Sequence, residues 1–514
     1  MPNRQTDILF QLIHALEKSE KRNFKLYIQR NSGNKDLKII ELFDAIDKLK
    51  EYDEVILLKK LSSIEKPQLS NVKTHLYKQL LASLRVIKTS ESIDLQLNEQ
   101  LDYARILYNK GLYHQSLKIL EKIKEIAVAN HHHTFLIQAI SFEKKIEALH
   151  ITRSIQDRAE ILSAEAEAVN QKRATITKLS NLALQLYSWY IKNGHARNAN
   201  DETIVKQFFF EKLPDNYNSL KGFYERLYIY QSFCWLAYIR QDFLMYYKYT
   251  QKWVDLFHEE DNMIANETIH YIKGMHNLMN AHFDLRNHKK FEATIKVFEA
   301  FSKSSVAKQL DNTRIHTFVY LNSAKLNQHI LSGRFTEAMK LLPEIEDKLN
   351  EYALFIDKHR ILVINYKIAM VYFGAGDYNK CVDYLHKIIN DQIDLRTDLQ
   401  CYARLLHLIA HYELGNYSLI EYLTKSVYRF MAKMKRLTVI EEAMFKFLRN
   451  SFHVNRSELK ILFQDLLETL KQFEKTRFET RTFAYLDVIS WLESKVSQKP
   501  MAEIIKEKFI GSNR

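Results

Sequence analysis

The sequence predicts an all-α chain: a right-handed α-solenoid of stacked helical hairpins, with a small helical N-terminal domain and a helical C-terminal cap. Two observations carry that prediction. Only 10 Gly and 5 Pro occur in 514 residues, well under the roughly 7% and 5% of ordinary usage. Sheets depend on Gly, Pro and Asn-Gly turns every few residues, so a sandwich, a barrel or a Gly-rich nucleotide fold has nowhere to turn. The second observation is that four of the ten glycines fall in one recurring local pattern between amphipathic stretches. With 46% hydrophobic and 27% charged residues, the chain can bury a substantial core.

Residues 1–92 are expected to form the N-terminal domain, as four helices. Ile8, Leu9, Leu12, Ile13 and Leu16 follow the i, i+3, i+4 rhythm, and the stripe resumes at Phe24, Tyr27 and Ile28. Asn31-Ser32-Gly33-Asn34 breaks it. A second helix carries Leu37, Ile40, Leu42, Phe43 and Ile46. Asp53 caps a third, with Val55, Ile56 and Leu61 inward, and Lys66-Pro67 closes that stretch. Ser70 caps a fourth, with Val72, Leu76, Leu80 and Leu84 inward. This region holds a large share of the net charge of +13: residues 1–90 carry 17 Lys/Arg against 11 Asp/Glu. Such an asymmetry suits a surface for nucleic acid or an acidic protein, or a solvated helix face.

Residues 93–440 are read as the repeat array. Gly111-Leu112-Tyr113 with Ser116, Gly333-Arg334-Phe335 with Ala338, Gly376-Asp377-Tyr378 with Cys381, and Gly415-Asn416-Tyr417 with Ile420 share one arrangement: Gly, then an aromatic two residues on, then a small or apolar residue three further. Gly permits the left-handed conformation that stops one helix and reverses the chain. The aromatic fills the wedge between the paired helices, and the third residue lets them approach. Gln241-Asp242-Phe243 and Lys289-Lys290-Phe291 hold the same register with weaker turns, and Asn193-Gly194-His195 is a looser member. A further turn is expected near Thr152–Gln156. The turns from 241 onward recur every 39 to 48 residues.

This Gly-[Asp/Asn]-Tyr-x-x-[Ala/Cys] spacing resembles the tetratricopeptide repeat, most closely at Ala369, Tyr372, Gly376, Asp377, Tyr378, Cys381, Leu385 and Ile388. The family period of about 34 is shorter, so the array is read as tetratricopeptide-like with longer helices. The resemblance implies that first helices line a concave groove. On that register Tyr228, Gln231, Trp235, Tyr238, Met279, Phe283, Arg286, Tyr320, Asn327, Tyr366, Met370, Phe373, Tyr402 and Tyr412 face it. Rings interleaved with Arg and Asn suit a peptide or protein segment, because aromatics bury area at low entropic cost while polar groups hold backbone amides. Residues 441–514 are read as the cap, with a stripe at Leu459, Leu462, Phe463, Leu466, Leu467 and Leu470 and a short helix after Lys499-Pro500.

Motifs for chemistry are missing from the sequence. No phosphate-cradling Gly-x-x-x-x-Gly-Lys or Gly-x-Gly-x-x-Gly occurs, nor a His-Glu-x-x-His or a Gly-x-Ser-x-Gly. His131-His132-His133 points in three directions on a helix and is read as a helix end rather than a metal site. Cys234, Cys381 and Cys401 have no metal-ligand spacing, and thiols kept reduced fit a cytoplasmic home. No secretory signal and no apolar run of transmembrane length is found. Lys433-Met434-Lys435-Arg436 is read as a solvated face. No cofactor, no metal and no enzymatic activity are expected.

Ser70–Val86 resembles the recognition helix of LuxR-type helix-turn-helix regulators. The resemblance implies that Asn71, Lys73, Thr74 and Lys78 face DNA, while Val72, Leu76 and Leu80 hold the helix to its domain. The leading expectation is a non-enzymatic scaffold that binds a peptide or protein segment in the groove. The alternative is a transcriptional regulator whose repeats sense a partner or ligand.

Overall fold

The computed structural model describes residues 7–31, 37–150, 157–353, 355–391, 397–434, 437–451, 454–474, 476, 478, 483 and 485–512. The turns expected at 32–34 and 152–156 and the basic pair at 435–436 lie outside the described residues. The described residues form helices and short connections, with no strand among them. None of these helices is long and apolar enough to cross a membrane. The chain divides into two compact units, Met1–Asn170 and Gln171–Arg514.

In the first unit, α1 (Ile8–Ala15), α2 (Lys18–Asn31), α3 (Leu37–Asp47), α4 (Glu54–Lys60) and α5 (Lys66–Lys88) share one core. Five helices stand where four were expected. Leu16 turns extended and the Glu17 N–H is taken by the Glu20 carboxylate at 2.9 Å, which ends α1 and starts α2. Asp53 does cap α4, accepting from the Val55 and Ile56 N–H groups at 2.8 and 3.0 Å. Val55 and Ile56 themselves are exposed, and Leu57 takes the inward position instead. Pro67 opens α5 rather than closing the preceding stretch, because a proline in the first helical turn removes an N–H that has no intrahelical partner. A second core joins α6 (Ile93–Asn109), α7 (Tyr113–Ala129), α8 (His133–His150) and the start of α9 (Arg158–Asn193).

The second unit continues α9 and adds α10 (Ala199–Lys212), α11 (Phe223–Ile239), α12 (Phe243–Glu259), α13 (Asn262–Asn266), α14 (Thr268–Asp284), α15 (His288–Ser302), α16 (Ser305–Gln309) and α17 (Asp311–Leu331). It proceeds through α18 (Phe335–Met339), α19 (Leu342–Glu351), α20 (Lys358–Ala375), α21 (Tyr378–Ile389), α22 (Thr397–Glu413) and α23 (Tyr417–Lys433). The closing helices are α24 (Val439–Asn450), α25 (Arg456–Lys471), α26 (Val488–Ser497) and α27 (Met501–Ser512). The pairs α11–α12, α14–α15, α20–α21 and α22–α23 are antiparallel hairpins, and α17 pairs with α18. Each packs on the next, through α12 on α14, α14 on α17, α17 on α20 and α21 on α22.

One turn geometry makes these hairpins. At Gly376 (φ +83°) the N–H donates to the Phe373 carbonyl at 3.0 Å, and the next N–H, of Asp377, reaches back to Tyr372 at 2.9 Å. The same two bonds recur at Gly111, Gly333 and Gly415, and also at His131, Gln241 and Arg286, which are left-handed at φ +57°, +56° and +51°. The register expected at Lys289 is therefore displaced by three residues: the turn sits at Arg286-Asn287-His288. Five positions past each left-handed residue of the α6–α7, α11–α12, α14–α15, α17–α18, α20–α21 and α22–α23 turns, a side chain is buried: Ser116, Tyr246, Phe291, Ala338, Cys381 and Ile420. Close approach fixes the stacking as well. A Cβ on Gly374 would meet the Phe335 ring at 2.3 Å, so the aromatic after one turn seats directly on the backbone of the next repeat's first helix.

At the C-terminal end of the stack, Tyr412, Phe447, Phe463 and Trp491 form a ring cluster, and the Trp491 indole donates to Glu413 at 2.6 Å. The last helix reaches back along the stack. A Cβ on Gly333 would lie 2.5 Å from the Ala502 carbonyl oxygen, and the Phe509 ring stands 4.5 Å from His288, so α27 lies against two turns.

Two substitutions check this account. Gly374→Ala is expected to cost about 1–3 kcal/mol in chemical denaturation, because the buried Phe335 ring has no free path away from the new methyl. Arg286→Gly relieves a left-handed conformation on an exposed side chain and is expected to stabilise by about 1 kcal/mol.

Candidate functional site

The first helices of successive hairpins turn a common side toward a cavity of about 240 Å³ in the second unit. Its walls come from Tyr187, Tyr190 and Ile191 on α9, Trp235 and Tyr238 on α11, and a stripe of α14 at Lys273, His276, Asn277, Asn280 and Asp284. Facing them are Tyr320, Ser323 and Asn327 on α17 and His359, Arg360, Val363, Tyr366, Lys367 and Met370 on α20. Tyr246, Phe283, Leu399 and Tyr485 also contribute to the lining. The α14 and α20 residues recur at i, i+3, i+4 and i+7, so each set shares one helix face.

Seven of the fourteen groove residues expected from the sequence line this cavity: Trp235, Tyr238, Phe283, Tyr320, Asn327, Tyr366 and Met370. The other seven lie elsewhere. Tyr228 and Gln231 meet His270, whose ring nitrogen is 3.0 Å from the Gln231 amide. Met279 and Phe373 are buried in the core, and Tyr412 belongs to the terminal ring cluster. Arg286 is the left-handed turn residue and is exposed; the three-residue slip in the turn had placed it on the helix. Tyr402 stacks on Tyr485, centroids 4.6 Å apart, and so supports the lining from behind. The polar stripes of α14 and α20 were missed. Their signal was Lys273, His276, Asn280 and Asp284 recurring on one face of α14.

The rings are ordered by one another and by hydrogen bonds. Tyr190 stacks on Trp235 at 5.7 Å, and Tyr187 lies 4.8 Å from the same indole. His276 stacks on Tyr320 at 4.0 Å and accepts from the Asn280 amide at 3.1 Å. Arg360 donates to the Tyr320 hydroxyl from Nε and Nη2 at 3.1 and 2.9 Å, and is paired with Asp357. The Tyr366 hydroxyl donates to the Tyr485 carbonyl at 2.9 Å, and the Tyr485 hydroxyl to Asp398 at 3.1 Å.

Charge is what distinguishes the cavity. The Lys273 ammonium lies over the rings of Tyr187 and Trp235, 4.8 and 5.6 Å from their centroids. Lys367 donates to the Ser323 hydroxyl and carbonyl. Burial pushes Lys367 down to about 7, against a smaller opposing pull from Asp284. Burial, with Arg360 nearby, pushes Lys273 down to about 8. His276 is driven well below its usual value by burial and the surrounding cations, so it is neutral at pH 7. Asp284 is the one carboxylate among the lining residues.

In the first unit a more open groove of about 520 Å³ lies between α6 and α8, with Arg105, Tyr108, Phe142 and Lys145 along it. The His131–His133 triplet forms a turn, His132 pairing with Asp94 at 3.2 Å. Among the described residues no group of three His, Cys, Asp or Glu side chains is placed to hold a metal ion. Cys234, Cys381 and Cys401 are buried and unbridged. In the region read as helix-turn-helix-like, Asn71, Thr74 and Lys78 are exposed on α5, and Thr74 bonds back to the Ser70 carbonyl at 3.0 Å. Lys73 is turned inward to Asp7 and to the Tyr52 hydroxyl at 2.8 Å. Comparison of the chain with protein-family models and with curated proteins finds no match.

Lys367 gives a pH signature. In the unfolded chain it ionises near 10.5 and in the folded chain near 7, so between those values the unfolded state holds the extra proton and stability rises with pH. Lys367→Met removes this term. The variant is expected to have the higher urea midpoint at pH 6, with the gap to the native chain narrowing as the pH approaches 10.

Proposed function

We propose that this protein is a non-enzymatic interaction scaffold of the tetratricopeptide-like kind, working in the cytoplasm, and that its partner is a peptide or protein segment received where the first helices of its hairpins converge. The single observation that carries this reading is the convergence of Trp235, Tyr238, Phe283, Tyr320, Tyr366 and Met370, contributed by four successive first helices, on one cavity. Stacked hairpins present such surfaces by construction, since each repeat adds one face to a continuous concave side. Rings held by their neighbours lose little further entropy on binding, and the amides of Asn277, Asn280 and Asn327 offer donors and acceptors to a bound backbone. The DNA-binding alternative gains no comparable support, since the central lysine of its face, Lys73, is engaged by Asp7 and Tyr52.

Affinity capture with the full-length chain tests the reading. A partner recovered with the native protein is expected to be lost with Trp235→Ala and with Met370→Ala, and retained with Leu244→Ser, a change at an exposed position of α12 outside the cavity. Truncating one such buried anchor costs about 2 kcal/mol or more of binding. Capture that survives both cavity substitutions overturns the proposal.

A further inference from the structure

Several buried carboxylates of this protein have a partner of opposite sign. Glu143, fully buried, is met by both Lys124 and Arg158; Glu202 by Arg240 and Lys206; Glu413 by Lys495. Lys273 and Lys367, both half-buried, contrast with these. Among the described residues neither has a carboxylate within ion-pair distance: one rests over two rings, the other on a serine. Together with Arg360, which is paired with Asp357, they bring three cationic side chains into one cavity whose lining holds one carboxylate, Asp284. A cation kept from water without a counter-ion costs stability, and residues of that kind in a cleft mark a binding function. An aromatic wall, Trp235 with Tyr190 stacked on it and Tyr187 tilted beside it, stands next to the ammonium of Lys273.

We propose that the cavity is an anion site, in which Lys273, Lys367 and Arg360 receive a carboxylate or phosphate group while the attached aromatic ring of the ligand lies against Trp235 and Tyr187. The anion supplies the missing counter-charge, and the ring replaces water on the aromatic wall. Small guests of this shape fit a space of about 240 Å³. The inference takes its location from the scaffold reading but not its chemistry, for the same group can arrive on a free metabolite or on the side chain or terminus of a peptide.

Calorimetric titration of the full-length chain with phenyl phosphate and benzoate tests it, with phenol and inorganic phosphate as the two half-ligands. Saturable one-to-one binding of at least one whole probe is expected, with each half-ligand weaker by about tenfold or more, as loss of one charged or stacked contact implies. Lys273→Met and Lys367→Met are each expected to weaken the whole probe by about tenfold or more; circular dichroism and urea midpoints establish that the variants fold. Lys367→Arg, which keeps the charge, is expected to restore part of the affinity. Absence of saturable binding by either whole probe at millimolar concentration overturns the proposal, as does binding unchanged in both methionine variants. A phosphotyrosine peptide and a peptide ending in phenylalanine, run beside the free compounds, separate the sources: tighter binding of a peptide supports an anion delivered by a polypeptide, and equal or tighter binding of the free probes supports a small molecule. Probe binding by a chain that captures no partner supports the anion site and counts against the scaffold reading alone. Partner capture without probe binding does the reverse.

Discussion

A single left-handed residue at the foot of each hairpin sets the geometry on which the rest of the second unit depends. The two hydrogen bonds that close the turn at Gly376, from its own N–H and from that of Asp377, stop α20 and begin α21 within three residues. Because the same pair of bonds closes the turns at Gln241, Arg286, Gly333 and Gly415, each hairpin's second helix leaves its turn in a similar way. Neither helix of a hairpin can bury its apolar face alone, so the stack forms as neighbours cover one another. Phe335 on the backbone of Gly374 and Trp253 beside Gly274 show how closely they do so. Once the first helices lie side by side, residues at i, i+3 and i+7 on each of them face one space.

That space carries a conflict between stability and charge. A chain selected only for packing would place apolar side chains at 273 and 367, as it does at Met370 and Val363 nearby. Two lysines instead occupy positions where burial lowers their proton affinity toward neutrality. The formal charge of +13 gives no hint of it. A net charge sums over the whole chain, whereas the cavity depends on three cations brought together from two helices, α14 and α20.

The architecture was legible because its signals are local. The scarcity of Gly and Pro excludes sheets, and Gly-x-aromatic is complete within a few residues, so the turns at 111, 333, 376 and 415 could be placed from sequence. Where the left-handed residue is not glycine the signal fades. Arg286 adopts φ +51° with nothing in its identity to announce it, and the three-residue slip that followed rotated the reading of α14 away from Lys273, His276 and Asn280. On α20, where Gly376 fixes the register, Tyr366 and Met370 line the cavity while Phe373 packs into the core. The break between α1 and α2 and the opening of α5 at Pro67 were misread for a related reason: a buried Leu16 in extended conformation and a proline at a helix start depend on what the chain packs against next. Tyr485 could not be placed on the cavity at all, since it arrives from beyond the last hairpin.

The same long-range assembly couples the cavity to the integrity of the stack. Its walls come from α9, α11, α14, α17, α20 and α22 and are closed by Tyr485, which is tied to Tyr366 and Asp398. No two consecutive hairpins contain it. Parting α14 from α17 separates His276 from Tyr320, and parting α17 from α20 separates Lys367 from Ser323. A ligand that bridges these helices binds only the assembled stack, and linkage then requires that it stabilise the stack by RT ln(1 + [L]/Kd). In a repeat array, where stability is approximately a sum of nearest-neighbour terms, such a ligand acts as a contact between helices that are not neighbours. Occupancy of one small space thereby makes several interfaces cooperative that would otherwise open independently.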